Sequence, residues 1–352
     1  MSDPDTPSAR HLWPPTCTTD MLRLRAVMLD AIRHFFSGGG YLEVETPLLS
    51  RDIVVDAHLE PFQIPSTDDP GSYLFLQTSP EAAMKRLLAA GSGSIFQITR
   101  SFRRAESGRR HNPEFTIVEW YGVETTYEDQ MLLTQNLIHH AIHAVRNWPA
   151  TAPPIATSAG FCNDRFLSPF RRTRYVDAFQ SALNTDVLNA SVAELQQLVR
   201  RRTSTTVDSP LPADRDDLLN LLLAECVEPR LGAEQPEFLC DYPASQAALA
   251  ERSVTDDRTA CRFELYIQGL ELCNGYQELT DPDELRRREA EQNLSRLAHA
   301  TSALPGAPLL EAAMQHGLPS CSGVALGFDR LVMCLSGADH IDQVIPFPGD
   351  RA

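Results

Sequence analysis

Ser101-Phe-Arg-Arg-Ala-Glu-Ser-Gly-Arg-Arg-His-Asn-Pro-Glu-Phe-Thr-Ile-Val-Glu-Trp-Tyr121 is the stretch whose reading decides the fold. It reads as strand, loop, strand. Along its second strand, period two puts Phe115, Ile117, Glu119 and Tyr121 on one face. An aromatic ring, a carboxylate and a phenol then lie beside a loop that carries Arg103, Arg104, Arg109 and Arg110. That combination suits a nucleotide next to an amine. Phe115 can stack on a base, Arg103 can take a phosphate as a bidentate fork, and Glu119 can bind an ammonium. Taken alone, the stretch fits an amphipathic edge strand with a charged turn about equally well.

Two further segments bear on the choice. In Arg262-Phe-Glu-Leu-Tyr-Ile-Gln-Gly-Leu-Glu-Leu-Cys-Asn-Gly-Tyr-Gln-Glu278, Gln268-Gly269 has the look of a hairpin turn. An even-numbered loop sets even residues opposite odd ones, so Glu264 and Glu271 share a face and lie close together. Two such carboxylates repel unless one is protonated or a cation sits between them. Magnesium held by both carboxylates and by phosphate oxygens answers that requirement. The third segment, Cys321-Ser-Gly-Val-Ala-Leu-Gly-Phe-Asp-Arg-Leu-Val-Met333, is a strand of small residues that lets a ligand approach the backbone. Arg330 follows it at the start of a helix, where a phosphate is welcome.

Outward from these segments, strands and helices alternate in hairpin-like groups. Asp20 is placed to cap a helix with apolar positions Leu24, Val27, Met28, Ala31, Ile32 and Phe35. Gly38 to Gly40 end it, and a strand follows from Tyr41 to Pro47. A strand over residues 73–77 runs into Ser79-Pro80-Glu81, which opens the next helix. Helical patterns cover 128–145 and 191–230, the latter with a turn around Asp208 to Asp214, and an irregular Pro-rich stretch covers 146–175. The expected fold is α+β, an antiparallel sheet flanked by helices, over residues 20–352, with a helical insertion at about 128–235.

Composition sets outer limits. The chain has 352 residues, 43% hydrophobic and 22% charged, with a formal net charge of −16. That balance is opposite to the one found in proteins that grip long stretches of nucleic acid. No apolar run is long enough to span a bilayer, so no membrane partner is expected. Residues 1–19, rich in Pro, Ser, Thr and Asp, read as a disordered leader on a cytoplasmic protein. The eight cysteines include no Cys-x-x-Cys pair, which speaks against a zinc site. Lys85 is the only lysine, with arginine serving elsewhere; that fits coding bias as readily as function.

Together the three segments resemble the signature motifs of class II aminoacyl-tRNA synthetases of the lysyl type. Gly40-Tyr-Leu-Glu-Val-Glu-Thr-Pro47 looks like motif 1, Phe102-Arg103 through Phe115 and on to Tyr121 like motif 2, and Gly327-Phe-Asp-Arg330 like motif 3. The resemblance implies a synthetase catalytic fold, a homodimer, and activation of a lysine-like amino acid with ATP and Mg2+. It implies catalytic roles for Arg103 and Arg330. It implies ATP contacts from Arg103, Arg104, Ala105, His111, Asn112, Phe115, Glu264, Leu265, Gly327 and Arg330, with Glu264 and Glu271 on the metal. The amino acid would lie among Ser79, Pro80, Glu81, Glu119, Tyr121, Glu271, Asn274, Tyr276, Glu278 and Ala325. In one place the chain departs from the pattern. The family's motif 2 carries glutamate where Ala105 stands, and the acid here is Glu106.

Lysyl-tRNA synthetases place an anticodon-binding barrel before motif 1, and about 20 residues cannot form one. The layout therefore resembles those synthetase paralogues that attach (R)-β-lysine to a lysine of elongation factor P, with no tRNA expected. Ala325 agrees, standing where lysyl-tRNA synthetases have glycine. Two alternatives stay open: a truncated synthetase that charges tRNA, and a non-catalytic paralogue that senses lysine.

Overall fold

The computed structural model describes residues 13–157, 164–204 and 210–352. Part of the expected leader, residues 1–12, and the first two residues of the expected turn at 208–214 lie outside these. Residues 16 and 17 contradict the leader reading. Thr16 hydrogen-bonds to the Ile345 and Pro346 carbonyls, and Cys17 is buried in the core.

Helix α1 spans Thr19–Gly38 and turns Met21, Leu24, Met28, Ile32 and Phe36 inward. Its cap is Thr18 rather than Asp20; the Thr18 side chain accepts from the Met21 amide, and Asp20 sits in the first turn, paired with Arg23. The motif 1 strand is much shorter than its alternation suggests, with only Leu42–Glu43 (β1) paired, in parallel, to the main sheet. A small three-stranded sheet follows from β2 (Leu49–Ser50), β3 (Gln63–Pro65) and β4 (Tyr73–Leu76). Helix α2, Glu81–Ala89, comes next.

The main sheet continues with β5 (Ile95–Phe102) and β6 (Glu114–Val123), then helix α3 (Tyr127–Arg146). Strand β7 (Arg171–Arg174) leads to helices α4 (Tyr175–Leu183), α5 (Val192–Arg202) and α6 (Arg215–Leu222). Strands β8 (Glu237–Pro243), β9 (Thr259–Ile267) and β10 (Leu270–Gln277) precede helices α7 (Pro282–Ala298) and α8 (Pro308–Gly317). Strand β11 (Cys321–Gly327) and helix α9 (Phe328–Ser336) follow.

The eight strands run in the order β1-β5-β6-β11-β10-β9-β8-β7. The sheet is mixed rather than wholly antiparallel, because its two outer pairs, β1 with β5 and β7 with β8, are parallel. The pairings between them are antiparallel throughout. One face buries Val118, Trp120, Phe263, Leu265, Val324 and Leu326 against α1, α3 and α9. Helix α3 thus belongs to the main layer, and the separate helical unit begins later, at α4. Helices α4 to α6 enclose a second core around Tyr175, Phe179, Leu195, Leu218 and Leu222 at the β8 end. Periodicity could show that residues 128–145 are helical but not which layer they join.

The opposite sheet face is concave and carries the polar residues. On β6 alternation holds as expected, with Val118 and Trp120 in the core and Ile117, Glu119 and Tyr121 lining the cavity. Among the described residues, no helix is long and apolar enough to cross a membrane.

Candidate active site

The cavity above the sheet has a volume of about 900 Å³. Its shape depends on one irregularity. Gln268 and Gly269 both have positive φ, 53° and 69°, the backbone of a tight two-residue hairpin turn. From that turn Glu271 pairs with Tyr266, but Cys273 pairs with Leu265 and Asn274 with Glu264. Leu272 is the extra residue of a bulge, and it enters the core together with Cys273. Strict alternation from Glu271 would turn Asn274 and Tyr276 into the core. The bulge resets the phase, so Glu271, Asn274 and Tyr276 all border the cavity.

At one end lie cationic groups. Arg330, in the first turn of α9, donates to the Glu271 carbonyl at 2.9 Å and to its carboxylate at 3.2 Å. Its other terminal nitrogen lies 2.6 Å from His111 Nε2. Burial first, then the nearby Arg330 charge, pull the His111 pKa below its ordinary value. The neutral ring can therefore accept from Arg330. Arg103 lies over the Phe115 ring, 5.0 Å from guanidinium to centroid, and 3.6 Å from Glu106. Its Nε is buried with no hydrogen-bond partner. A buried donor left free in a cavity suits an incoming phosphate oxygen.

Some expected nucleotide residues serve elsewhere. Asn112 borders the cavity, but its amide donates to the Glu114 carbonyl and accepts from the Gly349 amide, so it ties the loop to the C-terminal segment. Leu265 points into the core, opposite to its neighbour Glu264. Arg104 and Ala105 do not line the cavity. The Arg104 amide bonds the Glu60 carbonyl, and Ala105 is exposed at φ 65°, a left-handed backbone that disfavours a side chain. Gly327 does border the cavity, and a methyl added there would make only ordinary contacts with protein atoms, the nearest at 3.7 Å.

The middle of the cavity is acidic. Glu264 accepts from Arg262 at 2.5 Å and from the hydroxyls of Tyr242 and Tyr266, each at 2.6 Å. Glu228 stands beside this group. Burial first, then the negative charges of Glu264 and Glu271, push its carboxyl up to about 7. Surplus negative charge built from hard oxygen donors fits a divalent cation. Among the described residues no three His, Cys, Asp or Glu side chains are grouped to enclose a metal alone. Such an ion would need oxygens from a ligand.

The far end is a buried polar recess. The Glu119 carboxylate accepts from the Tyr121 hydroxyl at 2.7 Å and from Ser79 at 3.3 Å, while its second oxygen is buried without a partner. Burial first, then the charge of Glu81, push Glu119 up to about 8. Asn274 donates to the Tyr276 hydroxyl at 2.7 Å, and its carbonyl oxygen is likewise unpartnered. Ala325 pairs with Glu119 on one side and with Asn274 on the other. Pro80 and Glu81 border the same recess. Two orphan acceptors facing one space ask for a donor, and an ammonium supplies three.

Lys85 is the residue that motif reading passed over. Its Nζ lies 2.7 Å from Glu81 and 2.5 Å from Glu278, and the side chain is 2% exposed. The signal was present: a lone lysine four residues after Glu81 on one helix face.

A family model described as tRNA synthetases class II (D, K and N) matches residues 13–351. The chain belongs to that family. It is 42% identical to a protein of Yersinia enterocolitica, over 97% of this chain and 98% of that protein. It is 41% identical to one of Vibrio vulnificus, over 96% and 98%, and 41% to one of Salmonella gallinarum, over 97% and 98%. Each of the three is named elongation factor P–(R)-β-lysine ligase. The chain belongs with these synthetase-like ligases.

Proposed function

We propose that this enzyme activates (R)-β-lysine with ATP as its adenylate and transfers the β-lysyl group to a lysine side chain of elongation factor P. The observation that carries the reading is the cavity's polarity. Unpaired carboxylate and amide oxygens wait at one end and unpaired arginine N–H at the other, a separation that suits an amino acid and a triphosphate lying end to end.

In the first step a carboxylate oxygen of the amino acid attacks the α-phosphorus. The bond to the bridging oxygen breaks, and pyrophosphate leaves with the electron pair. No protein nucleophile is required; positioning and charge neutralisation carry the step. Arg103 holds the α-phosphate through its free Nε, and Phe115 offers a ring face to adenine once Arg103 swings to the phosphate. Arg330 and His111 receive the outer phosphates, with Gly327 leaving room beside them. Glu119, Tyr121, Ser79 and Asn274 hold the ammonium groups. Glu264 and Glu271 would hold magnesium, which supplies positive charge against the phosphate oxygens. In the second step the acceptor amine attacks the acyl carbon, AMP departs, and an amide remains.

We also infer a homodimer through the motif 1 region. Leu42, Leu48, Leu49, Ile64 and Tyr73 are all exposed apolar side chains on or beside β1 and the small sheet, and a second copy would cover them.

The test is mass spectrometry of elongation factor P incubated with the enzyme, ATP and (R)-β-lysine. The expected result is one β-lysyl adduct on one lysine. Charging of lysine tRNA with no adduct on the protein would overturn the reading.

A further inference from the structure

The amine recess is lined by two buried carboxylates, Glu119 and Glu278, and a half-buried third, Glu81, and one buried cation, Lys85, backs it against Glu81 and Glu278. Lys85 is the only lysine of the chain. It is locked in place on two sides. Glu81 precedes it by one turn on α2, and Glu278 follows the last residue of β10. Burial works against its charge, but Glu278 and Glu81 outweigh burial and hold the amine well above its usual range.

We propose that Lys85 is a positioning residue that sets the charge of the amine recess, leaving a net of two negative charges for the two ammonium groups of a diamino acid. Once Glu119 has given up its proton on amine binding, three carboxylates against one ammonium leave that net. It would be three without Lys85, and a recess with that surplus takes up protons instead of substrate. The lysine also fixes the Glu81 and Glu278 carboxylates, so their free lone pairs aim at the substrate. This inference rests on the proposed reading of the recess as the amine site.

Several other titratable groups face this cluster. These are Tyr121 from β6, Tyr276 from β10, Cys321 from β11, and Glu251 from the loop before β9. Burial raises each of these four above its ordinary value, so at neutral pH the two tyrosines and the thiol add no charge. Glu251 does not line the cavity and accepts from the Thr280 hydroxyl, so the balance within the recess is decided by Glu81, Glu119, Glu278 and Lys85.

The experiment compares Lys85→Met, Glu278→Gln and the double variant by ATP–pyrophosphate exchange, with KM for (R)-β-lysine measured across pH. Lys85→Met should raise that KM at least about tenfold near neutral pH, because a carboxyl that the lysine no longer holds ionised keeps its proton to a pH at least about one higher. The KM should fall again as pH rises and the carboxyls ionise. KM for ATP should stay within twofold, or roughly the error of the method. Glu278→Gln alone leaves one net charge too few and also raises KM. The double variant restores the net charge and should bind (R)-β-lysine better than either single variant. If Lys85→Met does not fold, a folded double variant supports the same conclusion. Additive losses, or, where Lys85→Met does not fold, a double variant that also fails to fold, overturn the role of Lys85. An unmodified enzyme without (R)-β-lysine-dependent exchange overturns the reading of the recess itself.

Discussion

Arg25 and Asp329 form an ion pair of 2.6 Å across 304 positions of chain, both side chains buried. The pair joins helix α1, the motif 2 strand and motif 3 at one point. Asp329 also accepts from the Thr116 amide on β6 at 2.7 Å, and Arg25 donates to the Thr116 hydroxyl and to the Val344 carbonyl. Arg25 lies over the Phe328 ring as well, 4.9 Å from its centroid. The neighbours of Asp329 and Thr116 in sequence are Arg330 and Phe115. The residues proposed to face the phosphates and the base are therefore set relative to each other by this buried pair.

Replacing Arg25 by Met tests this. A buried charge stripped of its partner costs roughly 3–5 kcal/mol. Urea unfolding of Arg25→Met should show a loss of that size, with the slope against denaturant unchanged. A loss under about 1 kcal/mol, the scale of an exposed pair, would mean that water reaches Asp329.

The pH dependence follows from Glu119. Its pKa rises from an ordinary 4.5 to about 8, because of burial and then the charge of Glu81. The folded protein thus binds this proton more tightly than the unfolded chain does. The free protein's stability should therefore fall as pH rises from about 4.5 through about 8. In the proposed amine site binding needs the ionised form, so KM for (R)-β-lysine should fall over the upper part of that window, with proton release on binding. Calorimetry in two buffers of different ionisation heat checks the proton count. Glu119→Gln should abolish the release and weaken binding; an unchanged count would locate the proton elsewhere.

Arg330 reaches both His111 and Glu271, so its loss unties two contacts at the proposed phosphate end. Arg330→Ala should lower kcat for pyrophosphate exchange by about 10²–10³, the usual effect of deleting a donor that stabilises developing charge. Thermal unfolding should change little, since the side chain is 19% exposed and hydrogen-bonds at the cavity wall. Retained exchange would remove Arg330 from the catalytic role.

Sequence patterns revealed faces better than partners. Period two placed Ile117, Glu119 and Tyr121 together, and the parity of the Gln268-Gly269 turn placed Glu264 with Glu271. The same parity puts Asn274 and Tyr276 on the wrong face, because a bulge at Leu272 leaves no signature in residue type. The resemblance to synthetases supplied those two residues where alternation could not. It also offered Asn112 as a nucleotide contact, whereas the fold spends both ends of that amide on its own backbone. Long-range pairs were the least visible. Nothing in the local sequence links Arg25 to Asp329, and the spacing that pairs Lys85 with Glu81 gives no hint of its second partner, Glu278.

Two neighbouring positions on β11 should respond to a single methyl in opposite ways. Ala325 sits between Glu119 and Asn274 and borders the recess, so its methyl takes up room in the proposed amine site. Moving an amine from the α to the β carbon displaces it by about one bond, roughly 1.5 Å. Ala325→Gly should therefore leave the fold intact and narrow the preference for (R)-β-lysine over α-lysine. That preference should lie within about 10–200-fold, the range one small group can supply. Gly323 leaves no such space. A methyl there would intrude on the Tyr121 ring and stand 2.6 Å from Glu278 Oε1. Both side chains are buried, 3% and 1% exposed, and each is hydrogen-bonded or ion-paired, so neither can yield cheaply. Gly323→Ala should raise KM for both amino acids and cost about 1–3 kcal/mol of stability, as overpacking does. Exchange assays with the two lysine isomers, run beside denaturant titrations, separate the cases. Equal selectivity before and after Ala325→Gly, or a silent Gly323→Ala, would show that the recess is not where the amine binds.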